Sequence, residues 1–244
     1  MLIEILEGPT LPSEKTPERS IVRRSFLFIA LIQLIGEFMA NAYLKALKPI
    51  PIILLMAMIS TKDKQSKLIF YGLASSLAGD LALMIRNEVV FQIGAGAFLI
   101  AHVFYIWAFC LDINFAELVN LSKWRVSRLF LLCNVVIMVY ILNVNALWEK
   151  TSNLILFIVY GFILTVMVIC ALMRAGTVKG KFYWYVSCGA LFFGISDHLL
   201  AFLKFNHYHT DIGEGIIMVT YYLAQYFIVR GIWKWASREK WSPS

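Results

Sequence analysis

Leu154-Ile-Leu-Phe-Ile-Val-Tyr-Gly-Phe-Ile-Leu-Thr-Val-Met-Val-Ile-Cys-Ala-Leu-Met173 runs without a single charged side chain. At a helical rise of 1.5 Å per residue, a stretch of this length covers about 30 Å, the hydrocarbon thickness of a bilayer. Seven further segments read the same way: Ile21–Ala40, Pro49–Ser60 with its apolar approach, Leu68–Ile85, Phe91–Leu111, Leu129–Leu147, Phe182–Leu203 and Gly213–Trp235. Basic or polar residues punctuate the gaps. The predicted fold is all-α: a polytopic membrane protein built as a bundle of eight transmembrane helices. Composition agrees, with 60% hydrophobic and only 15% charged residues, against roughly 45–50% and about 25% in soluble domains.

The second segment is the short one. It opens at Lys48-Pro49-Ile50-Pro51, where proline suits a helix start because its missing N–H costs nothing there. Keeping it puts both termini on one side, together with the loops after spans two, four and six. That side holds seventeen of the 22 Lys and Arg residues, including Arg23, Arg24, Lys62, Lys64, Lys123, Arg125, Arg174, Lys181 and Arg230. The other side keeps Lys45, Lys48, Arg86, Lys150 and Lys204. Cytoplasmic loops carry the excess of positive charge, so both termini are expected in the cytosol. Residues 1–20 read as a cytosolic tail, 21–236 as the membrane domain and 237–244 as a second tail. The formal charge of +7 reflects this topology and attraction to anionic lipid heads; no basic cluster is interleaved with aromatics as in a nucleic-acid binder.

Other classes fall away. There is no Walker sequence, no Rossmann fingerprint and no H-E-x-x-H helix. Cys110, Cys133, Cys170 and Cys188 lie in or beside apolar runs without a C-x-x-C pair, and read as reduced core residues. His207, His209 and Asp211 share a loop but form too sparse a set for a metal. No metal and no cofactor are expected.

Ionisable residues inside a membrane are costly, which makes them candidates for function. They are few here: Glu37 in span one, Asp80 in span three, His102 in span four, Asp197 and His198 in span seven, and Lys48 at the mouth of span two. Glu37, Asp80 and Asp197 all lie past the midpoints of outward-running helices. Asp80 is roughly 20 Å beyond Lys67, and Asp197 roughly 22 Å beyond Phe182. Carboxyl groups at matching depth on separate helices can meet across a bundle, and like charges brought close cannot both stay ionised. Such a pair offers a general acid and a general base in one pocket. The competing role is a polar patch that locks helices by hydrogen bonds. His102 and Tyr105 share a helix face, as do Tyr221, Tyr222 and Gln225. Gly72, Ser75, Ser76 and Gly79 line one face of span three, so Asp80 is expected just beyond a tight helix contact. The echo of Gly79-Asp80-Leu81 in Ser196-Asp197-His198, four spans on, fits a parallel four-plus-four repeat.

These residues also carry a resemblance. Lys48-Pro49, Ser76-Leu77-Ala78-Gly79-Asp80, Ala101-His102-Val103-Phe104-Tyr105, Phe193-Gly194-Ile195-Ser196-Asp197 and Tyr221-Tyr222-Leu223-Ala224-Gln225 occur in the order found in the YhhN-like family of eight-span membrane proteins. The chain resembles that family over residues 22–235, departing at His198 and in the first twenty residues. Characterised animal members are lysoplasmalogenases, and the endoplasmic reticulum is the membrane expected for this chain. The resemblance implies hydrolysis of the vinyl ether bond of a lysophospholipid substrate, giving a fatty aldehyde and glycerophosphocholine or glycerophosphoethanolamine. Asp80 and Asp197 then become the catalytic acid and base, in either order. Glu37, His102, Tyr105, Tyr222 and Gln225 support them, and Lys48 meets the phosphate. The competing functions are a transporter or lipid-translocating protein, for which intramembrane acids and a repeat also suit, and a non-catalytic structural protein.

Overall fold

The structure, a computed structural model, describes residues 17–59, 61–85, 87–113, 151–178, 180–205 and 210–239. Every described element is helical: α1 (Pro17–Phe38), α2 (Ala42–Lys45), α3 (Pro49–Met58), α4 (Lys64–Leu83), α5 (Glu88–Cys110), α6 (Thr151–Met173), α7 (Lys181–Phe205) and α8 (Asp211–Glu239), with a 3₁₀ turn at Arg174–Gly176. The expected span Leu129–Leu147, together with Cys133, His207 and His209, lies outside the described residues.

Four of these helices are long and apolar enough to cross a membrane: Glu88–Cys110, Leu154–Met173, Lys181–Lys204 and Asp211–Trp233. The apolar surface confirms the direction in which they face. On α6, Ile155, Ile158, Val159 and Phe162 all point outward, at the i, i+3, i+4, i+7 spacing that a soluble helix keeps for its core. Ile93, Ile100, Val103 and Trp107 on α5, and Phe28, Leu31 and Ile35 on α1, do the same. Exposed apolar stripes on several helices at once have lipid as their natural neighbour. The chain is therefore an all-α, multi-pass integral membrane protein.

Local sequence sets the helix ends. The Asp63 carboxylate accepts from Ser66 N–H at the start of α4, and the Asn87 side chain accepts from Val89 and Val90 N–H at the start of α5, so donors left orphaned in the first turn are satisfied. α1 ends with Ala40 in the left-handed region, φ 54°. Ala40 N–H donates to Glu37 C=O and Asn41 N–H to Gly36 C=O, the paired closure of a Schellman cap that glycine usually makes.

The second expected span takes a form the sequence reading did not anticipate. α3 has ten residues, about 15 Å and half of a crossing. Helical turns nevertheless continue back to Asn41: Lys45 N–H donates to Asn41 C=O, Ala46 to Ala42, Leu47 to Leu44 and Lys48 to Lys45. Residues 42–58 form an interrupted helix reaching about 25 Å, broken where Pro49 and Pro51 supply no N–H. Gly36 permits the break to fold back, since a Cβ there would lie 2.3 Å from Leu44 Cβ.

The helices close into a ring. α1 packs on α3, α3 on α4, α4 on α5, α5 on α6, α6 on α7 and α7 on α8, while α8 returns to touch α1, α3 and α4. The small residues of α4 do what their spacing suggests. A Cβ at Gly72 would meet the Tyr105 ring at 2.2 Å, and one at Gly79 the Phe98 ring at 2.6 Å, so both aromatic side chains of α5 seat directly on the α4 backbone.

Two of the cations on the side expected in the cytosol have buried side chains. Arg174 is fully enclosed; its Nε and Nη2 donate to Asp112 Oδ2 at 2.8 and 2.5 Å, and Gln65 donates to the same oxygen at 2.7 Å. Arg230 is buried over the rings of Tyr185 and Tyr226. Buried charges of this kind persist only when paired or hydrogen-bonded. Among the described cysteines, Cys170 is buried and Cys110 and Cys188 are half-buried, none of them in a disulfide.

Candidate functional site

Asp197 lies sixteen residues beyond the first residue of α7, and Asp80 lies sixteen beyond the first of α4. Equal offsets on helices that run the same way put the two acids at one depth. Each is bonded by a tyrosine from a helix distant in sequence.

Around Asp197, Tyr160 of α6 donates its phenolic O–H to Oδ2 at 2.6 Å. His102 Nε2 of α5 stands 3.3 Å from that same oxygen. The imidazole is fully buried, held edge-on by Tyr160 at 5.3 Å and Phe193 at 4.8 Å between ring centres. Aromatic walls hold the imidazole in place, so its ring nitrogen stays beside the carboxylate. Asp197, His198 and Tyr160 form the polar part of an otherwise apolar groove between α5, α6 and α7, whose remaining wall includes Phe91, Phe98 and Leu164. The groove is open along one side. An apolar wall with a few convergent polar groups is the usual character of a small-molecule pocket.

Around Asp80, Tyr221 of α8 donates its O–H to Oδ2 at 2.7 Å, and Lys48 Nζ lies 3.6 Å from Oδ1. The break between α2 and α3 thus delivers a cation to a buried carboxylate. Lys48 faces Asp80 in an ion pair, with its side chain 18% exposed. Tyr222 donates to the Lys48 carbonyl at 3.1 Å, which pins the break from α8. Beside this pair, Tyr105 O–H donates to Gln225 Oε1 at 2.7 Å and Gln225 Nε2 donates to Ser76 Oγ at 3.0 Å, tying α5, α8 and α4 together. Asp80 does not line the groove. It is separated from it by aromatic rings: Tyr221 is edge-on to Phe98 at 5.9 Å and to Phe193 at 5.7 Å, and Phe193 also carries His102. Asp80 and Asp197 are therefore joined through one cluster of rings, with Asp197 on the open side and Asp80 on the closed side.

Glu37 belongs to neither carboxylate. It is buried at the C-terminal end of α1, accepts from Gln33 Nε2 at 2.6 Å and pairs with Lys45 at 3.2 Å. Lys45 also pairs with Asp211 at 3.1 Å and Glu214 at 3.0 Å, stapling α2 to α1 and to the first turn of α8. Partial burial works against the Lys45 ammonium, but hydrogen bonds to Glu214, Asp211 and Glu37 outweigh it and hold its pKa above the ordinary lysine value.

Tyr160, Tyr221 and Lys45 were not among the site residues read from the sequence. A phenol in the middle of a spanning helix was the available signal, because a buried tyrosine O–H needs a partner. Tyr160 is the one tyrosine in Leu154–Met173. Which acid it serves depends on packing between helices.

The model of the YhhN family matches residues 44–232. That interval contains Lys48, Asp80, His102, Tyr160, Asp197, Tyr221 and Gln225, and leaves out Glu37. No curated protein and no solved structure matches the chain.

Proposed function

Because the chain belongs to the YhhN family, we propose that it is a lysoplasmalogenase of the endoplasmic reticulum membrane, with eight spans and both termini in the cytosol. It hydrolyses the vinyl ether bond of a lysophospholipid to a fatty aldehyde and glycerophosphocholine or glycerophosphoethanolamine. One observation carries the reading: Asp197, bonded by Tyr160 and flanked by His102, stands in the wall of an apolar groove. No other carboxylate of the described residues lines that groove.

The chemistry suits these groups. In its protonated form Asp197 gives a proton to the β-carbon of the alkenyl chain, leaving an oxocarbenium ion at the ether carbon. Water adds to that carbon and loses a proton to the Asp197 carboxylate. The hemiacetal then collapses to aldehyde and the glycerol hydroxyl, so one water is consumed and the acid is restored. The cycle shares its logic with glycosidases, where carboxyl groups serve an oxocarbenium-like transition state. His102 hands protons to and from Asp197 and holds its orientation. Asp80, paired with Lys48 and bonded by Tyr221, faces the site from behind the ring wall and acts by electrostatics rather than contact. Tyr105, Tyr222 and Gln225 hold the Asp80 side of the bundle. No metal and no organic cofactor takes part in this proposal.

The exchange of partners supports a four-plus-four arrangement. α5 sends His102 to the acid of α7, and α8 sends Tyr221 to the acid of α4, the reciprocity a pseudo-two-fold axis produces. The direct test is aldehyde release from a lysoplasmalogen by purified protein in detergent. Steady release that disappears in Asp197→Asn supports the enzyme. Binding without release, combined with movement of the lipid between leaflets in vesicles, would replace it with a translocator.

A further inference from the structure

Lys204 sits at the mouth of the groove. Its Nζ lies 4.7 Å from the centre of the Phe91 ring, and Phe91 is a wall residue. Lys204 is seven residues beyond Asp197 on α7, two turns along the same face and about 10 Å nearer the outward end. The side chain is partly buried, and no carboxylate of the described residues pairs with it. A cation held over an aromatic face keeps its N–H donors available to an anion. The other outward-side cations described are engaged: Lys48 with Asp80, and Lys45 with three carboxylates.

The geometry points to Lys204 as the phosphate-binding residue for a single-chain glycerophospholipid whose chain enters the groove past Asp197. This assignment rests on the lipid reading given above. Three glycerol carbons and one oxygen separate the ether oxygen of such a lipid from its phosphorus, and the four methylenes of lysine close the remaining distance from the outward end. The register then fixes the lipid: phosphate at Lys204, glycerol along Ala201, and the first carbons of the chain at Asp197 and Tyr160. The apolar wall of the groove takes the chain, and Lys204 at its mouth takes the phosphate.

The test compares two uncleavable ligands on the full chain in detergent: a 1-O-alkyl lysophosphocholine and the matching 1-O-alkylglycerol, which lacks the phosphate. Wild type is expected to bind the phospholipid more tightly. Lys204→Gln is expected to weaken that binding roughly tenfold, the scale of losing a hydrogen bond to a charged group, and to leave alkylglycerol binding unchanged. Lys204→Arg retains the preference, and Lys64→Gln, at the opposite end of the bundle over Trp107, leaves both affinities as they are. With an alkenyl substrate, the same Lys204→Gln variant raises KM and spares kcat. Equal affinity of Lys204→Gln and wild type for the phospholipid overturns the assignment, as does equal loss for both ligands. A phosphate preference lost in Lys204→Gln, without aldehyde release from wild type, keeps the binding site and removes the hydrolase.

Discussion

Replacing Asp197 and Asp80 separately with asparagine should give two different failures, and the structure sets the size of each. In Asp197→Asn the carboxamide oxygen still accepts the Tyr160 hydroxyl, so the loss of stability stays within about 1 kcal/mol, the scale of one weakened hydrogen bond. Turnover should fall by about 10²-fold or more, as when a general acid is removed, or at least about 2.7 kcal/mol of barrier. In Asp80→Asn the Lys48 ammonium, with its side chain only 18% exposed, loses its counter-charge. Breaking a buried ion pair by deleting one partner costs about 3–5 kcal/mol, and the small residual exposure of Lys48 favours the lower end. Asp80→Asn should therefore lower the melting temperature well beyond Asp197→Asn. Adding Lys48→Met should recover much of that loss, because no unpaired charge then remains. Aldehyde release per folded molecule and melting in detergent, measured on all four proteins, separate the two effects. Near wild-type turnover in Asp197→Asn refutes the assignment of the acid. A melting temperature for Asp80→Asn equal to that of Asp197→Asn refutes the pairing of Asp80 with Lys48.

Tyr160→Phe keeps the ring against His102 but removes the hydroxyl from Asp197; kcat should drop roughly tenfold or more, on the scale of a hydrogen bond to a charged group, with KM little changed in steady-state assays. Ala40→Gly should raise stability by about 0.5–1 kcal/mol, since it relieves a left-handed alanine costing roughly 1–2 kcal/mol, offset in part by the entropy of glycine; a lower melting temperature would contradict the Schellman cap. Lys45 has its pKa raised in the fold above the ordinary 10.5, so its stabilisation is complete below that value and fades as pH rises beyond it. The difference in melting temperature between wild type and Lys45→Gln should accordingly hold steady from pH 7 to about pH 9 and shrink only in stronger alkali.

Sequence alone was sufficient for the class of fold, because spanning a bilayer imposes a length and an apolarity that any uncharged run such as Leu154–Met173 displays. It was sufficient also for which side chains are costly to place in lipid: Glu37, Asp80, His102 and Asp197 stand out against apolar neighbours. Matching depth for the two aspartates followed from counting along helices. What counting along a helix could not supply was azimuth and partner. Lys48 suggests a phosphate ligand from its place in the chain, and its ion pair with Asp80 becomes visible only once the proline-broken helix 42–58 folds back into the bundle. Glu37 shares the depth argument yet joins Lys45, Asp211 and Glu214 in a cluster at the C-terminal end of α1. Arg174 reads as a loop cation, yet it is buried and paired with Asp112. Tyr160 became a partner of Asp197 only when α6 packed beside α5 and α7. The physical reason is common to all four: a side chain's neighbours across a bundle depend on how helices rotate and close into a ring, and that is set by contacts such as Gly72 with Tyr105 and Gly79 with Phe98, between residues far apart in the chain.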